Sequence, residues 1–418
     1  MSDAKRQGTP LADLVLAGVG QTEAEPLNDF ILMARDVSNA YLVKTDDGDV
    51  LVNTGTITGS ERTKRLFEPH RTGPLRYILL TQSHADHFGG IGALRDPGTK
   101  IVAERRFPET RRYYVEMEPF FAPRTGKLWA RTLARQGGTF HDVPEPEPDI
   151  FVDGRLTIEC GGRAFELIST PGGETLDSLC IWMPKERVVF TGNLFGPMFM
   201  GMPFLNTLRG DKPRTAGRFL RSLETVRALD ADLLITGHGE PVQGTGRIRA
   251  DLDKLHAAVS YVDEATKAGM NAGKDIYTLM REISLPPELA IGEWHGNVPW
   301  AVKAIWHEYS GWFLYESTTE LYGVPRRAVD ADIAELAGGA DNLARRAAKH
   351  LAAGKPLEAV HLLDIALGAE PGNRQALLTK RDVLTHLLEQ SGQTNLSETM
   401  WLKSEIADVE EVLSGTDE

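Results

Sequence analysis

An α/β sandwich of β-sheets followed by an all-α helical-hairpin domain is the fold that the sequence predicts for this chain. Short apolar runs recur through the first half, and several of them end in polar or glycine-rich loops, as buried strands do. Beyond about residue 245 the apolar residues recur at helical spacing instead. A length of 418 residues suits two or three domains of roughly 150 residues each.

The strand predictions follow from the apolar runs in chain order. Residues 39–55 contain a strand, an Asp-Gly turn and a second strand. Residues 77–80 are predicted to form a buried strand that delivers a polar cluster at its end, and Gly89 and Gly90 are predicted to open a helix. Further strands are predicted at residues 157–159, 164–170, 179–183, 187–191 and 233–236. Because loops at one rim of a sheet sandwich commonly carry function, we expect the site there.

The helical part begins with an amphipathic stretch at residues 247–267. Residues 341–389 contain three helical stretches that are separated by turns at Gly354 and at Pro371-Gly372. Their spacing resembles that of tetratricopeptide hairpins, but no full repeat recurs three times, so a long solenoid is not expected. We predict a first domain at residues 1–275, a connecting segment at 276–330 and a helical domain at 331–418.

Composition and charge exclude several classes of function. The net charge of −13 disfavours general binding to nucleic acid or to an anionic membrane. Two cysteines without paired spacing exclude a disulfide framework and a cysteine-rich zinc site. No apolar run approaches the length of about 18 residues that a membrane span needs. We therefore expect a cytoplasmic protein that acts on a small molecule.

A cluster of metal-ligand residue types follows the predicted strand at residues 77–80. It reads Gln82-Ser83-His84-Ala85-Asp86-His87. Imidazole and carboxylate groups suit zinc, with manganese and iron as the alternatives. Closely spaced ligands on a tight loop after a strand converge readily on one ion, so we predict a metal site here.

The cluster resembles the His-x-His-x-Asp-His motif of the metallo-β-lactamase superfamily, whose members are hydrolases with an αββα sandwich. Later segments match that pattern as well: Thr170-Pro171-Gly172, Thr191-Gly192-Asn193 and Gly237-His238-Gly239. Three further features resemble the bacterial alkylsulfatase branch: Glu174 lying 19 positions before Asn193, the segment Asn206-Thr207-Leu208-Arg209-Gly210, and Glu335-Leu336-Ala337-Gly338-Gly339-Ala340. The resemblance implies that residues 331–418 are a dimerisation domain and that the protein is a homodimer.

The resemblance also implies the ligand set. Asp86, His87 and His238 would hold one metal ion and leave a position open for water. His84, Glu174 and Gln82 would form a second and weaker half-site, because Gln82 stands where the family has histidine. Asn193 stands where the family has a carboxylate that bridges two metals, so a dinuclear site would be about one charge short. We expect one tight zinc ion and a weak second one.

Catalytic and substrate-binding roles complete the predicted site. Asp86 and Arg209 are predicted to be catalytic, and Arg209 is expected to hold an anionic substrate group through its guanidinium fork. Asn206 and Thr207 are further substrate-binding candidates. Asn53 replaces the aspartate that the superfamily commonly has at this strand end, where it would orient a metal ligand; a structural turn is the simpler interpretation.

Three functions are compatible with these residues. The first is a metal-dependent hydrolase of the alkylsulfatase type, in which metal-activated water attacks a sulfate ester. The second is a hydrolase on the same scaffold that cleaves another ester, a lactone, an amide or a C–X bond. The third is a dimeric binding protein with weakened catalysis, because Gln82, Asn193 and Asn53 all remove ligand strength.

Overall fold

The structure is a computed structural model that describes residues 10–133 and 143–415. The described chain divides into two compact units, one from Pro10 to Tyr309 and one from Ser310 onward. This division falls inside the predicted connecting segment, so residues 276–309 belong to the first unit. None of the described helices is both long and apolar enough to cross a membrane.

The first unit contains a seven-stranded sheet in which the strands lie in chain order. Neighbouring strands are antiparallel from β1 to β4 and parallel from β4 to β7. The strands are β1 (Glu25–Pro26), β2 (Ile31–Ala34), β3 (Ala40–Thr45), β4 (Gly48–Val52), β5 (Leu75–Leu79), β6 (Lys100–Glu104) and β7 (Ile150–Val152).

A six-stranded sheet in the same unit has the order β13-β12-β11-β10-β9-β8. Strands β11 and β12 are parallel and the other neighbours are antiparallel. The strands are β8 (Arg155–Cys160), β9 (Arg163–Ser169), β10 (Leu179–Met183), β11 (Val188–Gly192), β12 (Leu233–Thr236) and β13 (Val242–Gln243).

Helices cover the outer face of each sheet and complete the αββα order of layers. The helices are α1 (Pro10–Asp13), α2 (Ser60–Phe67), α3 (Ala85–Phe88), α4 (Ile91–Leu94), α5 (Phe107–Glu116), α6 (Glu118–Leu133), α7 (Ala216–Arg227), α8 (Thr245–Asn271), α9 (Ile276–Glu282) and α10 (Val298–Ser310). Leu66, Phe88 and Ile91 pack on the first sheet, whereas Phe219, Leu255 and Val302 pack on the second.

The apolar core between the two sheets explains why they face each other. Alternate residues of each strand point into this layer, as the two-residue period of a strand requires. Tyr41 and Val43 of β3 meet Phe190 of β11 and Ile235 of β12 in one cluster. The rings of Tyr41 and Phe190 lie edge to face with 5.5 Å between their centroids.

Hydrogen bonds join the two sheets at the rim where β4, β5, β11 and β12 end. The backbone N–H of Asn39 donates to the carbonyl of Gly237 at 2.8 Å, and the hydroxyl of Tyr41 donates to the carbonyl of Thr236 at 2.8 Å. The N–H of Leu179 donates to the carbonyl of Thr81 at 2.8 Å. The loops that follow these strands are thereby held against one another.

The second unit consists of helical hairpins. Its helices are α11 (Asp330–Leu336), α12 (Ala340–Ala352), α13 (Pro356–Ala369), α14 (Arg374–Gln390) and α15 (Leu396–Gly415). Small residues, among them Ala344, Ala347, Ala359 and Ala366, are fully buried and let the helices approach closely.

The predicted fold class is confirmed, as are the predicted strands and the three helical stretches at 341–389. The helix predicted to open at Gly89 and Gly90 is the four-residue α4, whose N-cap is Gly90. A second four-residue helix, α3, ends directly before the glycines. An added Cβ at Gly89 would lie 2.5 Å from the backbone of Ile57, and one at Gly90 would lie 2.4 Å from the backbone of Thr54. The glycines therefore permit close approach of two backbone segments.

Candidate metal centre

Five strand ends deliver the candidate residues to one place. Asn53 follows β4, and the cluster from Gln82 to His87 follows β5. Glu174, Asn193 and His238 follow β9, β11 and β12 respectively. Parallel strands end at the same edge of a sheet, and the junction between the sheets described above brings both edges together.

Asp86, His87 and His238 converge around one point. The Oδ2 atom of Asp86 lies 3.7 Å from Nε2 of His87 and 3.7 Å from Nε2 of His238. One ligand atom from each of the three residues falls within 4.8 Å of the others. Burial lowers the pKa of His87 to about 3, so its ring is neutral at neutral pH, as a metal ligand must be.

The two histidines of this triad are anchored differently. His238 donates from Nδ1 to the carbonyl of Val37, which leaves Nε2 as an acceptor facing Asp86. For His87, Nδ1 lies 2.9 Å from Nδ2 of Asn53 and 3.1 Å from Oγ of Ser38. The Nε2 atom of His87 is buried, and within the described residues it has no hydrogen-bond partner.

Asn53 therefore contacts a predicted ligand, and the turn interpretation alone does not account for it. Its φ angle of 56° lies in the left-handed region, where asparagine and aspartate are favoured among non-glycine residues. Its Oδ1 accepts from the backbone N–H of Thr81 at 3.0 Å. Because that N–H only donates, the orientation of the amide is set and its NH₂ group faces His87.

Gln82, His84 and Glu174 form a second cluster beside the first. The Nε2 atom of Gln82 lies 3.0 Å from Nδ1 of His84, which lies 3.4 Å from Oε2 of Glu174. On its other side, Nε2 of His84 lies 3.1 Å from the hydroxyl of Tyr114. Gln82 is fully buried, and its Oε1 has no hydrogen-bond partner among the residues described.

Asn193 connects the two clusters. Its Nδ2 donates to Oε2 of Glu174 at 2.8 Å and lies 2.9 Å from Nε2 of His238. Gly237 makes room for it, because a Cβ at that position would lie 2.2 Å from Oδ1 of Asn193 and 2.8 Å from Cε1 of His87. An uncharged amide thus lies between the two groups of candidate ligands.

The donors of the first cluster fit a divalent metal ion better than those of the second. The first offers one carboxylate and two imidazoles, with the buried Nε2 of His87 lacking a hydrogen-bond partner in the described structure. Such a set is typical of zinc sites that keep one position open. The second offers one imidazole, one carboxylate and a carboxamide, which is the weakest of these ligands for zinc.

Charged residues that the sequence did not single out surround Glu174. The side chain of Arg214 is 7% exposed, and its Nη1 lies 3.8 Å from Oε1 of Glu174. Although burial opposes ionisation, the contact with His84 and the charge of Arg214 hold the pKa of Glu174 well below its usual value. Asp211 lies 3.4 Å from Nη2 of Arg214 and accepts from the Tyr114 hydroxyl at 3.2 Å.

His295 is a second residue whose position the sequence did not reveal. Burial lowers its pKa to about 3, and it lies within electrostatic range of Glu174 and Arg214. Its ring contacts Phe204 with 4.6 Å between centroids. The only signal in the sequence was its place among closely spaced tryptophans, which indicates packing as readily as function.

The predicted substrate residues differ in their contacts. Arg209 contacts Asp211, with 3.8 Å between Nη2 and Oδ2. Asn206 is exposed, and the hydroxyl of Thr207 donates to the carbonyl of Gly210 at 3.1 Å. Roles for Asn206 and Thr207 stay predictions, because these contacts do not connect them to the metal cluster.

A pocket opens beside Glu174. Tyr113, Tyr114, Lys212 and Arg214 are among the residues that line it. It offers aromatic surface together with two cationic side chains and two carboxylates, Glu174 and Asp211, which suits a molecule with an apolar part and polar groups.

Comparison with known proteins agrees with this architecture. Residues 33–238 match the model of the metallo-beta-lactamase superfamily, and residues 276–404 match that of alkyl sulfatase dimerisation. A linear primary-alkylsulfatase from Pseudomonas sp. (strain ATCC 19151) is 25% identical over 338 residues, which are 72% of this chain and 61% of that protein. The alkyl/aryl-sulfatase BDS1 of Saccharomyces cerevisiae is 25% identical over 396 residues, covering 87% of this chain and 60% of that protein.

A solved structure shares the fold across both units. The stereoselective inverting sec-alkylsulfatase Pisa1 from Pseudomonas sp. matches with a TM-score of 0.82 at 21% identity, covering 99% of this chain and 69% of that one. The chain spans about three fifths of the length of the curated relatives named above. Residues 33–238 thus carry a metallo-β-lactamase superfamily domain, and residues 276–404 carry an alkyl sulfatase dimerisation domain.

Proposed function

We propose that this protein is a metal-dependent hydrolase that cleaves an ester bearing an anionic group, with a sulfate ester as the first choice. The convergence of Asp86, His87 and His238 on one point carries this proposal. Similarity to the two alkylsulfatases named above supports the choice of sulfate ester.

A divalent metal in this site would supply Lewis acidity and lower the pKa of water to near neutrality. Asp86, His87 and His238 would hold the ion, and zinc is the metal that their chemistry favours. Asp86 contributes the only carboxylate of the three, so it provides the negative charge that draws a cation to the site. The sandwich junction fixes His238 relative to the other two ligands, through the bonds from Asn39 and Tyr41 to the carbonyls before it.

Substrate binding is assigned to the pocket beside Glu174 and to Arg209, which contacts Asp211 in the pocket lining. Arg209 is 28% exposed, so its guanidinium is accessible to an anionic group. Planar guanidinium groups bind sulfate and carboxylate through paired hydrogen bonds. Tyr113 and Tyr114 would contact the apolar part of such a substrate. A neutral ester or lactone would use the same metal ligands without needing Arg209.

Asn53 is inferred to weaken metal binding through the ring of His87. A ligand bound through Nε2 must carry its proton on Nδ1, but the amide N–H groups of Asn53 face that atom. The hydroxyl of Ser38, 3.1 Å away, is an alternative acceptor for an Nδ1 proton. An aspartate at position 53 would accept that proton directly, as carboxylates commonly do behind metal-bound histidines.

Homodimer formation through the helical unit is also proposed. Exposed apolar side chains accumulate at the start of this unit, where Tyr315 and Leu336 are each 88% exposed. Trp312, Leu321, Tyr322 and Val324 are exposed as well. Large exposed apolar patches are typical of interaction surfaces, and a second copy of the chain is the partner that the dimerisation match favours.

Replacing Asp86 tests the metal assignment. We expect Asp86→Ala to lose bound zinc and all sulfate release from an alkyl sulfate panel, because the site then lacks its carboxylate. Elemental mass spectrometry and sulfate detection measure the two effects, and circular dichroism checks folding. Full metal content in this variant would contradict the assignment. A folded wild-type protein that takes up no zinc, manganese or iron would instead favour the binding-protein hypothesis.

Replacing Arg209 tests the class of substrate. Arg209→Ala is expected to reduce hydrolysis of sulfate esters by about a hundredfold, the loss of one charge-assisted contact of roughly 3 kcal/mol. Turnover of a neutral ester should change little. Exposed Arg221 provides the matched control as Arg221→Ala. Equal loss on charged and neutral substrates would show that Arg209 acts structurally.

Replacing Asn53 tests its effect on His87. We expect Asn53→Asp to tighten zinc binding by about tenfold, in line with the effect of other groups behind metal ligands. Competition with a chromophoric chelator measures the affinity. Ser38→Ala is the companion variant and should weaken binding. Unchanged affinity in both variants would disprove this role for the Nδ1 contacts.

Oligomeric state tests the dimer. Light scattering at micromolar concentration is expected to give twice the mass of one chain, which is 46.0 kDa. The double variant Tyr315→Glu and Leu336→Glu should shift the protein toward monomer, because burial of unpaired carboxylates is costly. A wild-type monomer under these conditions would refute the proposal.

A further inference from the structure

The guanidinium of Arg214 lies buried at the weaker half of the metal centre. Its Nη1 is 3.8 Å from Oε1 of Glu174 and donates to the carbonyl of Phe204 at 3.1 Å. Arginine stays charged throughout the ordinary pH range. A permanent positive charge therefore stands next to the only carboxylate of the Gln82, His84 and Glu174 cluster.

Neighbouring groups fix Arg214 in this place. The backbone N–H of Arg214 donates to the carbonyl of Leu205 at 3.1 Å. Its Nη2 lies 3.4 Å from Oδ2 of Asp211, whose Oδ1 accepts from the N–H of Lys212 at 2.8 Å. Moving the guanidinium away from these partners would leave a buried charge without compensation, which is energetically unfavourable.

Both oxygens of Glu174 are already engaged. Oε1 faces Arg214, whereas Oε2 accepts from Asn193 at 2.8 Å and lies 3.4 Å from His84. A metal ion bound here would have to displace these contacts and share the carboxylate with a guanidinium. Asp86 differs from Glu174 in this respect. Within the described residues, its ion-pair partners are the rings of His87 and His238, which are themselves candidate metal ligands.

The formal charges also favour one metal ion. Two arginines, Arg209 and Arg214, and three carboxylates, Asp86, Glu174 and Asp211, together carry one negative charge. One divalent ion then gives an excess of one positive charge, which a single anionic group balances. A second divalent ion raises the excess to three, and uncompensated charge in a partly desolvated site is unfavourable.

We propose that Arg214 serves as the second cation of this centre and takes the place of a second metal ion. This inference rests on the proposed metal-dependent function and deepens it. The mononuclear state then depends on the fixed guanidinium beside Glu174, and not only on the poor ligands Gln82 and Asn193.

Zinc stoichiometry tests the inference without any measurement of activity. Metal-free protein would be titrated with zinc by calorimetry, and the loaded protein analysed by elemental mass spectrometry. Wild type and Arg214→Lys, which keeps the charge, are expected to bind one equivalent. Arg214→Met, which removes the charge but retains the bulk, is expected to bind two.

A second pair of variants separates the charge of Arg214 from ligand quality. Gln82→His with Asn193→Glu restores an imidazole and a carboxylate while Arg214 remains, and we expect this protein still to bind one equivalent. Adding Arg214→Met to it should give two. The double variant keeps the inference testable even if Arg214→Met alone does not fold.

Each outcome has a distinct meaning. Two equivalents in wild type, or in the double variant that retains Arg214, would overturn the role of Arg214 and leave the hydrolase proposal intact. One equivalent in folded Arg214→Met would overturn it as well. Folded wild-type protein that binds no zinc, manganese or iron would refute the proposed metal-dependent function itself.

Discussion

The hydrogen-bonded junction between the two sheets is the constraint on which the rest of the site depends. Asn39 and Tyr41 of the first sheet bind the carbonyls of Gly237 and Thr236 in the second. This junction lies directly before His238, so these hydrogen bonds set the position of that histidine relative to His87. Packing of the apolar layer holds the two sheets together. The hydrogen bonds fix their relative position, as a set of metal ligands requires.

The sequence predicted the fold well wherever the spacing of apolar residues and the flanking turn residues indicated the same element. Residues 179–183 and 233–236 form strands at those positions, because unbroken apolar runs of this length suit the buried strands of a sandwich. The helix predicted to open at Gly89 and Gly90 is present as α4, whereas α3 before them has only four residues and leaves no periodic signal. Strands β1 and β13, with two residues each, are too short for pattern reasoning.

The part of the candidate site that lies in a sequence motif could be predicted. The part that depends on contacts between residues far apart in sequence could not. His84, Asp86 and His87 are adjacent in sequence, so their spacing alone indicated a metal. Arg214 reaches Glu174 from a loop 40 positions later, and nothing in its local sequence distinguishes it from other arginines. The contact between Asn53 and His87 likewise appears only once β4 and β5 lie side by side.

The left-handed backbone at Asn53 has an evolutionary consequence. At a φ of 56°, aspartate is tolerated nearly as well as asparagine, whereas β-branched residues are strongly disfavoured. The fold therefore restricts this position to a few residue types, and two of them differ only in an amide against a carboxylate. Under the role proposed for Asn53, one substitution that leaves the main chain undisturbed would change the metal affinity of this centre.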